Sequence, residues 1–197
     1  MPLSNPDLAL SVALGIVLAA STGFRVFLPA LIASVAAYAG HLPLDEGFAW
    51  LATPFALTML GAAAAVEIAA YYVPGIDNLL DTLAMPAAFI AGTVLSAAIM
   101  TDLPPVVKWA AAIVAGGGAA SLTQGLTTML RAKSTVFTGG TGNPVIATAE
   151  LGGALLIPLL ALAAPLVAVV LVILLLWVAF RVIRRLRHRA DRADAGE

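Results

Sequence analysis

No cysteine occurs among the 197 residues of this chain, which removes disulfide frameworks, thiolate metal sites and thiol nucleophiles together. Charge is nearly as scarce: Asp, Glu, Lys and Arg make up 11% of the residues, and the first base is Arg25. The only histidines are His41 and His188, and neither belongs to an H-E-x-x-H pair. The G-x-S-x-G elbow and the Walker spacing G-x-x-x-x-G-K-[ST] are missing as well. Catalytic readings fail for want of parts, and no cofactor is expected. No hydrophilic run is long enough for a separate soluble domain. Nucleic acid is not an expected partner, because the basic tail has no interleaved aromatics and no folded basic face.

What remains is apolar. Hydrophobic residues make up 61% of the chain, and the mean hydropathy of +1.02 lies outside the usual range of soluble domains. Seven segments account for most of it: Asp7 to Thr22, Val26 to Gly40, Leu51 to Val73, Leu83 to Met100, Val106 to Leu130, Val145 to Ala163 and Leu166 to Arg184. Most approach the ~20 residues that cross a hydrocarbon core. The first two, joined as one straight helix, would be about 50 Å long, too long for one crossing. Residues 21–25 must be a break, giving two short crossings or a re-entrant hairpin, and a hairpin there would line a cavity. The fold class expected is an all-α polytopic transmembrane bundle of six to seven helices, one or two of them broken or re-entrant. Residues 1–185 form that domain and residues 186–197 a basic-to-acidic tail. Leu8 to Ala20 lacks the basic flank of a secretory signal and reads as a retained helix.

Basic residues orient the bundle. Placing Arg181, Arg184, Arg185, Arg187 and Arg189 in the cytoplasm, and counting back through the crossings, also puts Arg131, Lys133 and Arg25 on that side. Only Lys108 falls opposite. The expected location is the bacterial inner membrane with a cytoplasmic C-terminus, the tail resting on anionic lipid. The glycines around Gly61, Gly92, Gly116 to Gly118 and Gly152 to Gly153 read as close-packing positions between helices.

Two acids stand where lipid should exclude them. Glu67 and Glu150 each lie about 8 to 9 Å inside the cytoplasmic ends of their segments, at ~1.5 Å per residue. An intramembrane charge usually faces a cavity or a partner, so the two are candidates for binding a cation or proton beside Arg25. The plainer alternative is a structural pair with Arg25 or Arg131. The loop after the third segment carries Asp77, Asn78 and Asp81, which could cap a helix, close a turn or meet a cation. The stretch from Ser134 to Pro144 reads as a Gly-rich loop in which Asn143 would cap a helix with Pro144 at its first position. Its amides, with Thr138 and the upstream Arg131 and Lys133, could cradle an anion; a flexible connection explains the glycines equally well.

The motifs Ser-Thr-Gly-Phe-Arg25, Pro74-Gly-Ile-Asp-Asn-Leu-Leu-Asp81 and Thr-Gly-Asn-Pro144, with Glu150 six residues on, resemble a group of small bacterial multipass proteins, domain of unknown function 4126. The resemblance covers roughly residues 10 to 165 and leaves the Arg-rich tail outside. It implies that these positions are a family polar signature and names no activity. The reading adopted is a transporter or channel for a small solute or ion, among membrane lipids and in a possible homo-oligomer. Its site residues would be Arg25, Glu67, Asp77, Asn78, Asp81, Arg131, Thr138, Asn143 and Glu150. A lipid-head-group enzyme or lipid translocase, and a non-transporting assembly partner, stand as alternatives. Transport requires the acids to line a water-reachable cavity, a lipid-handling protein requires a lipid-sized side opening, and an assembly partner requires neither.

Overall fold

The structure is a computed structural model that describes residues 5–73 and 76–194, with the side chains at 5–7, 77–79, 81, 183 and 186–194 outside that description. It is all-α. The helices are α1 (Asn5–Thr22), α2 (Phe27–Tyr38), α3 (Pro54–Ala70), α4 (Ile76–Ile99), α5 (Pro105–Ala111), α6 (Gly118–Thr138), α7 (Asn143–Ala163) and α8 (Pro165–Asp194). A 3-10 segment, Glu46–Ala52, precedes α3, and a π turn, Ala112–Gly117, joins α5 to α6. Four helical stretches are long and apolar enough to cross a bilayer: Thr82–Ile99, Pro105–Thr138, Asn143–Ala163 and Pro165–Val182. The 3-10 segment and α3 form a fifth candidate span, bent by 67°, and α1 and α2 are shorter apolar helices.

Two of the expected segments differ from what forms. The run Leu51 to Val73 breaks at Thr53, whose hydroxyl accepts the Ala56 amide while Pro54 occupies the first helical turn. That is an N-cap followed by a residue with no amide to satisfy, so a helix starts there whatever the hydropathy. The run Val106 to Leu130 continues to Thr138, because Arg131 finds partners inside the bundle and does not end the helix.

Helix α1 is central, packing on α4, α6, α7, α8 and the π turn. Its C-terminal half runs antiparallel to α4: Gly15 lies against Ser96 and Met100, and Thr22 reaches the Ala88 carbonyl at 3.4 Å. Helix α2 then climbs back, since the loop after it returns to the same end of α4, where the Asp45 amide donates to the Ala98 carbonyl at 2.8 Å. The two helices therefore form a hairpin with its tip, residues 23–26, inside the protein. Ser21 and Thr22 bond back to the carbonyls of Leu18 and Ala19 in the last turn of α1, which satisfies their hydroxyls within the helix. Gly23 then passes so close to α6 that an added Cβ would strike Ala120, Thr123 and Gln124.

The small-residue reading holds at particular sites. Gly92 and Gly116 let α4 and the π turn touch through backbone, Gly117 lies under Phe89 and Thr93, and Gly153 seats the Phe24 ring. The extra residue of the π turn helps place Gly116 and Gly117 on one face toward α4. Gly61, Gly118 and Gly152 have open space at the Cβ position and serve no such contact. At the α4 C-terminal end of the bundle, Lys108 donates to Asp45 Oδ2 at 2.6 Å. The Lys108 hydrogen bond holds the Asp45 carboxyl below its usual value, against a small upward push from burial and with help from the Gly47 amide.

Candidate functional site

Four polar residues from four elements meet around the hairpin tip. Arg25, at 2% exposure, donates to Glu150 Oε2 of α7 at 2.6 Å, to the Ala147 carbonyl at 3.1 Å and to the Phe24 carbonyl at 2.9 Å. Arg131 of α6 donates to the same Glu150 oxygen. Both guanidinium groups lie by the Tyr71 ring, at 3.7 Å for Arg25 and 4.6 Å for Arg131. The ring's π electrons attract cations most where water is excluded, and Tyr71 is buried. Glu150 Oε1 and Arg25 Nε have no hydrogen-bond partner among the described residues.

Glu67 does something different. Its Oε1 accepts the Val26 amide at 2.7 Å and its Oε2 the Phe27 amide at 3.0 Å. These are among the donors a helix start leaves unsatisfied, so a carboxylate on α3 caps α2 from outside the chain segment. The positive end of the helix dipole favours the negative charge there. The two acids share one region, as expected, but they do not share one role: Glu150 faces two arginines and Glu67 faces two backbone amides.

Glu67 is also the charged group that opens into a cavity. Helix α3 packs on α2 and the 3-10 segment and leaves α4 across a gap. The gap holds about 530 Å³, walled by Met59, Ala63, Val66 and Ala70 of α3 and by Leu80, Leu83, Ala84 and Ala87 of α4, with Val26, Glu67 and Tyr71 at its inner side. A second apolar cavity of about 320 Å³ adjoins it at Val26, Phe27 and Ala87 and runs toward Trp50 and Leu95. The cleft is an almost wholly apolar opening between α3 and α4, and Glu67 is the one carboxylate among the described residues on its wall. Glu150, at 3% exposure, lies outside it.

The remaining expected residues fall elsewhere. The side chains of Asp77, Asn78 and Asp81, and residues Pro74 and Gly75, lie outside the described residues. The Gly-rich loop is shorter than expected, because Ser134 to Thr138 are helical and Gly142, not Asn143, is the N-cap of α7. Asn143 is buried and bonds the Thr135 hydroxyl at 3.1 Å, tying α7 to α6. Thr138 accepts the Gly142 amide at 3.0 Å, and the Asn143 amide goes to the Gly140 carbonyl. Those donors are spent locally and do not converge on an external anion; Arg131 points into the bundle instead. Among the described residues no group of three His, Asp or Glu side chains could hold a metal ion.

Tyr71 was not singled out by sequence. The signal was there in the spacing, since Tyr71 follows Glu67 by four residues and so shares its helix face. The Val26 and Phe27 amides had no signal, because backbone donors look alike in any sequence.

The chain matches the family described as domain of unknown function (DUF4126) over residues 12–185 and belongs to it. The match extends beyond the stretch expected from the motifs and takes in most of the apolar part of α8 and the start of the basic run. No curated protein and no solved structure matches it.

Proposed function

We propose that this DUF4126 member, a helical membrane protein, binds and carries a small amphipathic solute that enters sideways from the bilayer through the α3–α4 cleft. The observation that supports this most is that Glu67 borders the cleft while holding the first amides of α2. An occupant that engages the carboxylate acts on the hairpin tip directly. Apolar walls suit an apolar body, and a single polar group sets its orientation, the usual division of labour in a small-molecule site. Glu67 is the contacting residue in this reading. Arg25, Glu150, Arg131 and Tyr71 hold the tip from behind, and Asn143 and Thr138 hold the α6–α7 turn. Water-filled conduction past Glu150 is the weaker form of the transport reading, given that residue's burial. The protein would reside in the bacterial inner membrane with its basic tail in the cytoplasm.

A lipid translocase is the second reading, favoured by the lateral opening itself. The test uses purified protein in vesicles and three amphiphiles of like size: tetraphenylphosphonium, tetraphenylborate and an uncharged triphenylmethyl compound. Ala63→Trp and Ala87→Trp fill the cleft from its two walls. Binding of at least one compound by the wild type, lost in both variants, is the expected result. No binding by the wild type, or equal binding in the filled variants, refutes the cleft reading. Movement of a labelled phospholipid between leaflets, blocked by the same variants, would select the translocase.

A further inference from the structure

We infer that Glu67 is an exchange point, at which the start of α2, a monovalent cationic head group and a proton compete for one carboxylate. The inference rests on the cleft reading above and names its substrate class, a lipophilic cation.

The geometry sets the competition. Both Glu67 oxygens are engaged by amides of the hairpin, Val26 at Oε1 and Phe27 at Oε2, and the same carboxylate lies on the wall of an otherwise apolar cleft. An amphiphile in that cleft meets no other described charged side chain on its walls. An ammonium or phosphonium centre is attracted to the carboxylate, whereas an anion is repelled by it and finds no base on the walls. The amide bonds to Glu67 are themselves charge-assisted, and a cation drawn to the same two oxygens competes with the amides for their negative charge. Full engagement of a cation therefore weakens the grip on Val26 and Phe27. A proton has the same consequence, because a neutral carboxyl accepts amide bonds less strongly and loses its attraction to the helix start. A proton and a monovalent cation each change the local charge by one unit, so the site admits either and disfavours both.

Arg25 at the tip and Glu150 on α7 are charged neighbours of Glu67. Tyr71 shares the face of α3, Arg131 approaches from α6 through the Tyr71 ring, and Asp77 and Asp81 of α4 lie outside the described side chains. Releasing Val26 and Phe27 frees the hairpin from the two hydrogen bonds that Glu67 of α3 accepts from it. Binding in the cleft is in this way coupled to the tip that carries Arg25.

The experiment measures tetraphenylphosphonium binding to the full chain in nanodiscs from about pH 4 to 9, alongside amide hydrogen exchange. Expected is an affinity that is flat above the titration of Glu67 and falls tenfold per pH unit below it, with about one proton expelled per cation bound in that lower range. Exchange at Val26 and Phe27 should speed up on binding. Glu67→Gln, checked for wild-type helical content, should lose at least tenfold in affinity and all pH dependence. Should that variant fail to fold, the proton count and the exchange rates in the wild type decide alone. A pH-independent affinity with no proton expelled, or slower exchange at the two amides, overturns the inference. Binding of the uncharged compound or tetraphenylborate without the cation overturns it too, yet leaves the cleft reading standing; binding of none of the three removes both.

Discussion

Glu150→Gln removes the oxygen charge that two arginines share and leaves the shape of the side chain almost unchanged. In the wild type Glu150 Oε2 receives Arg25 at 2.6 Å and Arg131 beside it, at side-chain exposures of 1 to 3%. Breaking a buried ion pair from one side costs about 3 to 5 kcal/mol, because the abandoned charge keeps its desolvation penalty. For a chain of this length each kcal/mol lowers the melting temperature by roughly 2 to 4 °C, so the variant should melt about 6 to 20 °C lower. Arg25→Gln should fall in the lower part of that range, since Glu150 keeps Arg131. The double variant Arg25→Gln with Glu150→Gln should lose less than the sum of the singles, with a coupling of about 0.5 to 3 kcal/mol. Thermal unfolding in detergent, followed by tryptophan fluorescence, measures all three. Asp102→Asn, at an exposed residue, is the control and should melt with the wild type. A Glu150→Gln variant within about 2 °C of wild type, or strict additivity in the double, would show that the cluster is not the buried lock described, whatever its part in transport.

Further outcomes follow from other contacts. Gly23→Ala should destabilise by about 1 to 3 kcal/mol because the new methyl meets the α6 backbone, whereas Gly61→Ala, with open space at that position, should be neutral or stabilising by up to about 1 kcal/mol, both read as shifts in melting temperature. The Asp45–Lys108 pair, with Lys108 buried and Asp45 partly exposed, should contribute on the order of 1 kcal/mol. Its sign follows from the lowered Asp45 carboxyl. The contribution is present above the unfolded value of about 4 and disappears as pH falls through the lower folded value, so Asp45→Asn and wild-type melting curves should converge in acid. A persistent gap at the acid limit would refute that source. For orientation, a single cysteine at the exposed Thr138 should react only with membrane-permeant reagents in whole cells; labelling by an impermeant reagent would reverse the assigned direction.

The helices were legible because lipid demands long apolar runs, and all seven expected segments contain helix where they were placed. The bend at Thr53 was legible too in principle: Thr-Pro is a helix start, and the unbroken apolar run masked it. The π turn was not, since Ala112 to Gly117 reads like any other small apolar stretch. At the site, Arg25 and Glu150 stood out because charge is costly at depth, and the two do pair, with Arg131 joining them. Glu67 stood out for the same reason, yet its partners are amides that no residue type announces. The Gly-rich loop misled by composition: Thr138 and Asn143 are polar groups that close a turn and pin two helices, and their polarity is consumed in doing so.

The ion pair that anchors the hairpin tip joins residues 125 positions apart in the chain. A ribosome adds roughly 5 to 20 residues per second, so Arg25 enters the membrane about 6 to 25 seconds before Glu150 has been made. During that interval the arginine has no carboxylate from α7, and an unpaired guanidinium at membrane depth is driven toward the nearest water. The contacts of the hairpin tip therefore cannot be completed until α7 has been made, and the first two helices of the chain are locked only by one of its last.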